Sequence, residues 1–512
     1  PMGSSDRRPY EGSTVLTQSL LDESSTNLTC KLEMIAEVLD VGSTSETLYL
    51  SDRAKYVDGI FYEPRVKFPV ISRTIGDWLS GQLEFSGLDI RVNNADGKLN
   101  HLLPGGSSYN GFIGKKVVVK IGLAEIGATY TEVFSCEVTN VAGFKRDVST
   151  FNLICRSDFD KVNRSIPNQF FIDTDWPDIE DEFFGLGAPI IYGDWTTALR
   201  PHAPEIPAYP VNGKDPLVNA SLEPPDPNVG DRPIRLVVSS TPIKTLDTSS
   251  VTLFRGDVYH TFDPSDISIV PGSNNQVIDV TQKNLIVDGS PYVYETGDQF
   301  FLKCVGVDLS GYDDNLVMQG KDILKRFGGM VDGDFDTSFQ TYADKSTPAQ
   351  SSISTIKSRV WIQESVEALA YVLSMFEQVR LEIFVNRNRK FAVSSLHFED
   401  FDPNPSYTIR NWDIVKDSFT PETDDGNQWN KAKADFSYSP PMQQAKYSSA
   451  LYKNQAAITQ SGREIAKLVS FPNLYVLADV EYQLIEMLKL ASAYSENINL
   501  VLTTRGFLKD IS

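Results

Sequence analysis

The hydrophobic pattern is strand-like over two long stretches of the chain. Residues 31–160 and 231–310 contain short alternating runs rich in Val, Ile, Phe, Tyr and Thr. In the first stretch, Asn-Asn, Asp-Gly and Gly-Gly turn signals separate these runs. Such a pattern is typical of β-barrels and β-sandwiches. We therefore predict a first β-barrel domain over 31–160 and a second β domain over 231–310.

Helical spacing first appears after the second β stretch. Apolar residues three to four apart predict one amphipathic helix in 316–327, ending at Gly328-Gly329, and a second over 358–379. Alternation on both sides of an Asn-Arg-Asn-Arg turn predicts a hairpin over 380–398. These elements form a predicted α+β domain over 311–400.

Residues 401–512 combine a predicted strand pair, in KAKADFSYS and QAKYSSALY, with a final helix. The stripe of that helix includes Leu484, Ile485 and Leu488, and it leads into the strand INLVLTT. We predict a mixed β domain with a C-terminal helix. The whole chain is then an α+β, β-rich, multi-domain protein in which barrels or sandwiches accompany a smaller helix-containing domain.

Two further segments lack core-forming periodicity. Residues 1–30 are polar and predict an extended N-terminal arm. Residues 161–230 contain eleven of the 28 prolines and an acidic run, and they predict a Pro-rich acidic connector without central strands or long helices. We expect the arm and the connector, with Trp176 and Trp195, to contact neighbouring subunits.

Composition narrows the classes of function. The 512 residues carry a formal net charge of −21, which disfavours adhesion to nucleic acid because such proteins present a basic surface to the phosphates. We find no apolar run of the length of a signal-peptide core or a membrane span. Four scattered cysteines indicate neither a zinc site nor a disulfide scaffold. We expect a soluble protein that is not secreted.

Candidate chemistry is sparse. Asp332, Asp334 and Asp336 have the spacing of the first ligands of a calcium loop, but Thr337 and Ala343 stand where such a loop has Gly and Glu. The four histidines show no ligand spacing, and no nucleophile elbow or phosphate-binding loop appears. Dispersed acidic residues leave a glycosidase-like pair of carboxylates open. We predict no catalytic, cofactor-binding or metal-binding residue and no enzymatic activity.

The order of the segments resembles the tail proteins of long-tailed bacteriophages. The resemblance rests on FSGLDIRVNNADGKLNHLL, YNGFIGKKVVVKIGL, FNLICRSDFDKVNRSIP and GLGAPIIYGDW, the last containing the P-x-x-Y-G stretch Pro189–Gly193. In the second half, DILKRFGGM followed by Asp336, Ser338 and Phe339, a long helix and a hairpin is similar to baseplate hub proteins. The resemblance covers roughly residues 31–400.

The resemblance implies paired β-barrel domains with intervening α+β domains. It further implies a homotrimeric hub that joins the tail tube to the tip, contacts other baseplate proteins and surrounds the DNA exit channel, within a virion assembled in the host bacterial cytoplasm. An acidic lumen would then let DNA slide rather than stick. Two alternatives remain open: a tail-tip enzyme or carbohydrate-binding module acting on the host envelope, and a six-copy wedge or distal tail protein.

Overall fold

A computed structural model describes most of the chain outside the arm and several connecting segments. The described residues are 32–41, 46–67, 74–77, 82–84, 88–103, 111–123, 130–143, 149–157, 162, 164–172, 183–196, 206–211, 234–256, 258–274, 276–281, 285–295, 297–344, 356–385, 390–395, 420–423, 429–440, 444–492 and 496–499.

The first part of the chain consists mainly of β-strands, with a short 3-10 helix at Asn100–Leu102. Its strands are β1 (Leu32–Val41), β2 (Glu46–Ser51), β3 (Lys55–Val57), β4 (Ile60–Pro64), β5 (Val66–Lys67), β6 (Thr74–Asp77), β7 (Gln82–Glu84), β8 (Leu88–Asn93), β9 (Lys116–Leu123), β10 (Thr131–Ala142) and β11 (Thr150–Ser157). Nine of them form one sheet in the order β3-β4-β2-β1-β9-β10-β11-β8-β5, while β6 and β7 pair with each other.

This sheet closes on itself through β4 and β5, which are separated in the chain by Arg65 alone. β4 pairs parallel with β2 at one edge, and β5 pairs antiparallel with β8 at the other edge. Inside lies a core that includes Val38, Ile90, Val119 and Leu153, each fully buried. Because the two edges are joined, we call this unit barrel 1.

The second β unit follows two short strands of the connector. The strands are β12 (Ser165–Ile166), β13 (Ile190–Tyr192), β14 (Ile206–Pro210), β15 (Ile234–Val237), β16 (Thr245–Arg255), β17 (Val258–Thr261), β18 (Ile267–Ile269), β19 (Val277–Val280), β20 (Ile286–Val287), β21 (Ser290–Pro291) and β22 (Gln299–Val305). Seven of these form a sheet in the order β17-β16-β22-β14-β15-β19-β18, and β20 pairs with β21.

The seven-stranded sheet also has its two edge strands next to each other in the chain. After β17, Phe262 N donates to Val251 O at 3.1 Å and so continues the pairing with β16. Before β18, Asp266 O accepts from Thr281 N at 2.7 Å and continues the pairing with β19. We call this unit barrel 2.

One sequence prediction about the connector is wrong. β14 comes from the Pro-rich stretch and lies in the middle of the barrel 2 sheet, although it contains Pro207 and Pro210. The reason is that β14 pairs with β22 over residues 206–208 and with β15 over residues 209–210. Each residue of β14 is therefore paired with only one neighbouring strand. A proline, which has no N–H, is tolerated where its nitrogen points away from the strand that pairs with it.

The remainder is a mixed α+β body. Its helices are α1 (Leu316–Arg326), α2 (Ser338–Asp344), α3 (Ala368–Glu377), α4 (Gln455–Ser461) and α5 (Leu477–Ala491). Its strands are β23 (Val360–Ile362), β24 (Val366–Glu367), β25 (Leu381–Val385), β26 (Phe391–Ser395), β27 (Thr420–Thr423), β28 (Lys431–Ser439), β29 (Gln444–Ser448), β30 (Tyr452–Lys453), β31 (Ala466–Phe471) and β32 (Glu496–Asn499).

Helices and strands of this body share one hydrophobic core. That core extends from Val317 and Phe376, on α1 and α3, to Phe436 on β28 and Leu484 on α5. The β25–β26 hairpin and the strands β28 and β29 occur where the sequence predicts them. The predicted fold class, α+β and β-rich with several domains, is confirmed.

The helix predicted over 358–379 is shorter in the structure, where α3 begins at Ala368. The preceding residues Val360–Ile362 form β23, which pairs with β13 of the connector. The apolar stripe alone could not reveal this, because the competing partner lies far away in the sequence. α1 by contrast matches its prediction, with Asn315 Oδ1 accepting from Met318 N at 3.1 Å as an N-cap.

Candidate functional site

The connector joins barrel 2 to the α+β body through its backbone. One edge of β13 pairs with β23. At the other edge, Val307 N donates to Ile191 O at 3.0 Å, and Gly306 N donates to Gly193 O at 2.9 Å. We call residues 187–195 the connector joint. Because both edges of β13 are hydrogen-bonded, the joint holds barrel 2 and the body together as neighbouring β-structure does.

Two glycines make this close approach possible. A Cβ on Gly306 would lie 2.3 Å from Ile191 O, and a Cβ on Gly193 would lie 2.5 Å from Ser358 O. Gly193 also has a φ of +88°, a region that side chains other than glycine rarely adopt. The P-x-x-Y-G stretch therefore supplies its glycine where the backbone of the body comes too close for a side chain.

Trp195 lies inside the connector joint, so the prediction that it contacts a neighbouring subunit is wrong. Its side chain is 3% exposed, and its Nε1 donates to Tyr192 O at 2.9 Å. The guanidinium of Arg359 lies 5.2 Å from the Trp195 ring and 3.8 Å from the Tyr475 ring. Trp176 and residues 1–30, the other predicted contacts, lie outside the described residues.

A half-buried carboxylate completes the joint. Asp314 accepts from Asp194 N at 2.6 Å and from Tyr475 Oη at 3.2 Å. Burial raises the pKa of Asp314 and also raises the pKa of Tyr475. Since these donors hold the carboxylate between the connector and the body, the arrangement positions backbone segments and offers a substrate little access.

Each barrel presents an aromatic pair with an exposed tyrosine on a hairpin. In barrel 1, Tyr56 is 75% exposed, and its ring centroid lies 5.1 Å from that of Phe61. In barrel 2, Tyr259 is 46% exposed, and its centroid lies 4.8 Å from that of Phe254. We call these the aromatic hairpins. Exposed Tyr and Phe side chains next to one another are enriched in protein–protein interfaces.

The hydrophobic pattern does not distinguish these hairpins from other strand pairs, although one of them carries a local sequence signal. Asp58 and Gly59 join β3 to β4 with φ angles of 50° and 79°, the conformation that favours Asp-Gly in two-residue hairpins. An Asp-Gly turn flanked by Tyr and Phe could have marked an exposed hairpin. No comparable dipeptide signal marks the residues of the connector joint, which come together only in the tertiary fold.

The three aspartates with calcium-loop spacing have other roles. Asp332 accepts from Lys325 Nζ at 2.8 Å, Asp334 accepts from Val331 N at 2.8 Å, and Asp336 accepts from Ser338 N at 2.9 Å. Across the described part of the chain, no group of three or more His, Cys, Asp or Glu side chains is placed to share a metal ion. No helix within the described ranges has the length and apolar character of a membrane span.

Comparison with known proteins gives distant structural neighbours, among them the two that follow. No protein-family model matches the chain. No curated protein matches it. A chain from the virion of a native gene transfer agent particle is 14% identical and covers 56% of this chain and 84% of its own length, with a TM-score of 0.23. Prophage tail protein gp18 from Listeria monocytogenes EGD-e is 10% identical and covers 58% and 78%, with a TM-score of 0.20. Superpositions at this level do not establish a shared fold.

Proposed function

We propose that this chain is a structural component of a bacteriophage tail that acts through assembly rather than catalysis. Its specific place is the baseplate hub, which joins the tail tube to the tip and surrounds the DNA exit channel. Three copies form the ring, and the partners are other tail and baseplate proteins. The chain acts without a cofactor.

The observation that carries the proposal is the presence of two barrel-like β units on one chain, one of which is joined to an α+β body through a strand paired on both edges. This is the architecture implied by the sequence resemblance to baseplate hubs. Closed barrels leave few sheet edges free and therefore make rigid walls. The aromatic hairpins supply apolar surface on both barrels for contacts between subunits.

The charge of the chain is compatible with a passage for DNA. A net charge of −21 gives most of the surface the same sign as the phosphate backbone. An acidic channel wall would repel DNA, so that the genome slides rather than binds. Mapping the acidic residues onto an assembled ring tests this point, because acids confined to the outer face would contradict it.

Copy number distinguishes the hub from a wedge or distal tail protein. Native mass spectrometry of the purified chain is expected to give three times its 57.0 kDa mass. A mass of six copies would instead indicate a wedge or distal tail protein with sixfold symmetry. A monomer at every concentration would contradict assembly by this chain alone.

Incubation with peptidoglycan and with surface polysaccharides tests the competing class of function. The proposal predicts no turnover and no saturable binding. Turnover that disappears when one particular Asp or Glu is replaced by its amide would overturn the structural role and favour a tail-tip enzyme.

A further inference from the structure

The most basic part of this acidic chain is the four-stranded sheet of the α+β body. Over residues 429–470 basic side chains outnumber acidic ones, whereas the whole chain has a net charge of −21. The basic residues are Lys431, Lys433, Lys446, Lys453, Arg463 and Lys467, and the acidic ones are Asp435 and Glu464. A surface of opposite sign to the rest of the molecule is the natural contact for an acidic partner.

The lysines lie on the outer face of this sheet. Ala432, Ala434 and Phe436 of β28 point into the core, and the alternate residues Lys431 and Lys433 therefore point outward. Lys453 of β30 stands opposite Lys431, and Leu468 of β31 stands opposite Lys433. We call the outer side of β28, β30 and β31 the basic face.

Part of this charge is already neutralised within the chain. Glu464 accepts from Lys431 Nζ and from Lys453 Nζ, each at 2.9 Å. Lys433 is exposed, and among the described residues no ion pair includes it. Asp435 lies two residues along β28 on the same face. Among the described residues, Lys433 is therefore the exposed, unpaired lysine of this face that is best placed to meet an acidic partner.

The same surface is apolar and open at its edge. Leu468 is 61% exposed and Leu451 is 50% exposed. α4, which precedes β31, has no buried residue. Within the described ranges, no strand pairs with the side of β31 that faces away from β28. An open strand edge beside exposed leucines and lysines is a surface suited to an extended acidic segment.

The chain itself contains such a segment. Residues 173–182 carry six acids, no base, and Trp176. The residues that flank the segment are hydrogen-bonded to each other. Phe171 N donates to Leu186 O at 2.9 Å, and Gly185 N donates to Phe171 O at 2.7 Å. At its two ends, Ile172 is 37% exposed and Phe184 is 52% exposed.

We propose that the basic face of one copy binds the acidic segment 173–182 of a second copy. This inference rests on the proposed function, since it specifies how copies of the chain contact one another. Two chains of net charge −21 repel, so their contact is favoured where surfaces of opposite sign meet. Trp176 supplies the large side chain that interfaces commonly use as an anchor, and Leu468 supplies exposed apolar surface to receive it.

The test uses the full chain and a fluorescent peptide of residues 171–185. Fluorescence anisotropy is expected to show saturable binding that weakens as salt rises, because exposed charge pairs are screened. Lys433→Glu is expected to weaken peptide binding by about tenfold. Lys67→Glu is the control, because it changes the net charge equally at an exposed lysine of barrel 1. A peptide with its acids replaced by lysines should bind the Lys433→Glu chain better than the original chain.

Several outcomes would overturn the inference. If Lys433→Glu and Lys67→Glu weaken peptide binding equally, the peptide responds only to the net charge of the protein and not to the basic face. Displacement of the peptide by a DNA duplex at equal concentration would assign the face to nucleic acid. If the segment instead binds the basic face of its own copy, Lys433→Glu should have the same native mass as the original chain but altered hydrogen exchange on β31. A wild-type chain that stays monomeric would contradict the proposed function and not this inference. The peptide titration measures binding to the basic face whether or not the chain assembles.

Discussion

Barrel 1 and barrel 2 each close where one segment of the chain pairs with both edges of its own sheet. The segments differ in what lies at the crossing point. In barrel 1 the chain crosses at Arg65, and in barrel 2 it crosses after Phe262. The crossing from one side of the sheet to the other therefore occurs at a charged side chain in barrel 1 and at an aromatic side chain in barrel 2.

The crossing in barrel 1 is fixed by ion pairs. Arg65 is 9% exposed, and its Nη1 and Nη2 donate to the two carboxylate oxygens of Asp96 at 2.9 and 2.7 Å. Its Nε donates to Glu63, and Asn93 N donates to Arg65 O at 2.6 Å. A bidentate guanidinium–carboxylate pair is a strong and directional contact.

The crossing in barrel 2 is fixed by packing. Phe262 is 1% exposed, and its ring centroid lies 5.8 Å from that of Tyr292 and 6.3 Å from that of Phe300. Asp263 then accepts from Ser265 N at 2.9 Å and begins a short turn into β18. We infer that the closure of barrel 1 responds to charge and pH, while the closure of barrel 2 responds mainly to side-chain volume.

The largest expected effect is the removal of the aromatic ring from barrel 2. Phe262→Ala should destabilise that barrel by about 3–5 kcal/mol, because it leaves a cavity in a packed core. Phe262→Leu retains most of the volume and should cost less than about 1.5 kcal/mol. Hydrogen exchange with mass spectrometry measures each barrel separately, and an equal loss of protection in barrel 1 would contradict the distinction.

Removal of the charge from the barrel 1 crossing should have the next largest effect. Arg65→Met keeps an apolar stem but loses the hydrogen bonds to Asp96, which we expect to cost about 2 kcal/mol. Arg91→Met on the neighbouring strand β8 is the control, because Arg91 is exposed. The Arg65 variant should lose hydrogen-exchange protection in β4, β5 and β8, and unchanged protection there would refute the clamp.

Lowering the pH should have a smaller effect on stability, through the Arg65–Asp96 pair at the barrel 1 crossing. The hydrogen bonds from Arg65 hold the pKa of Asp96 well below its usual range. This stabilisation is complete above the unfolded-state pKa of about 3.9 and is lost as the pH falls through the lower folded-state value. In barrel 2, hydrogen bonds from Ser265 lower the pKa of Asp263, but Phe262 packing does not titrate.

The β4–β5 crossing should therefore lose hydrogen-exchange protection as the pH falls through the folded-state pKa of Asp96. Asp96→Asn cannot ionise, and in that variant the acid response of β4 and β5 should flatten. A response in Asp96→Asn as steep as in the original chain would assign the acid sensitivity to other groups.

The smallest effects on stability should come from the aromatic hairpins. Tyr56→Ser and Tyr259→Ser remove exposed rings, so each should change the free energy of unfolding by only about 0.5 kcal/mol. Self-association should weaken in both variants, and more strongly for Tyr56, which is the more exposed residue. Analytical ultracentrifugation measures this directly, and unchanged association would remove the hairpins from the interface.

Local patterns predicted much of the fold. The alternation around Ile90, Val119 and Leu153 identified barrel strands, and the spacing of Val317, Ile323 and Leu324 identified α1. These signals work because each residue's neighbours in sequence determine which face it presents.

The remaining features depend on partners that are distant in sequence. β14 tolerates its prolines only because two different strands share its edges, and β23 is a strand only because β13 lies beside it. Trp195 gave no sequence sign that it would be buried between Arg359 and the Tyr192 carbonyl. The Arg65–Asp96 pair spans 31 residues, and nothing in either local sequence announces it.

The most direct test of the central claim is an electron-microscopy image of the purified, assembled chain. A hub is expected to form closed rings with threefold symmetry and an axial channel, with the barrels forming the wall. Single-chain particles at all concentrations, or open filaments without a channel, would contradict a hub that acts by assembly.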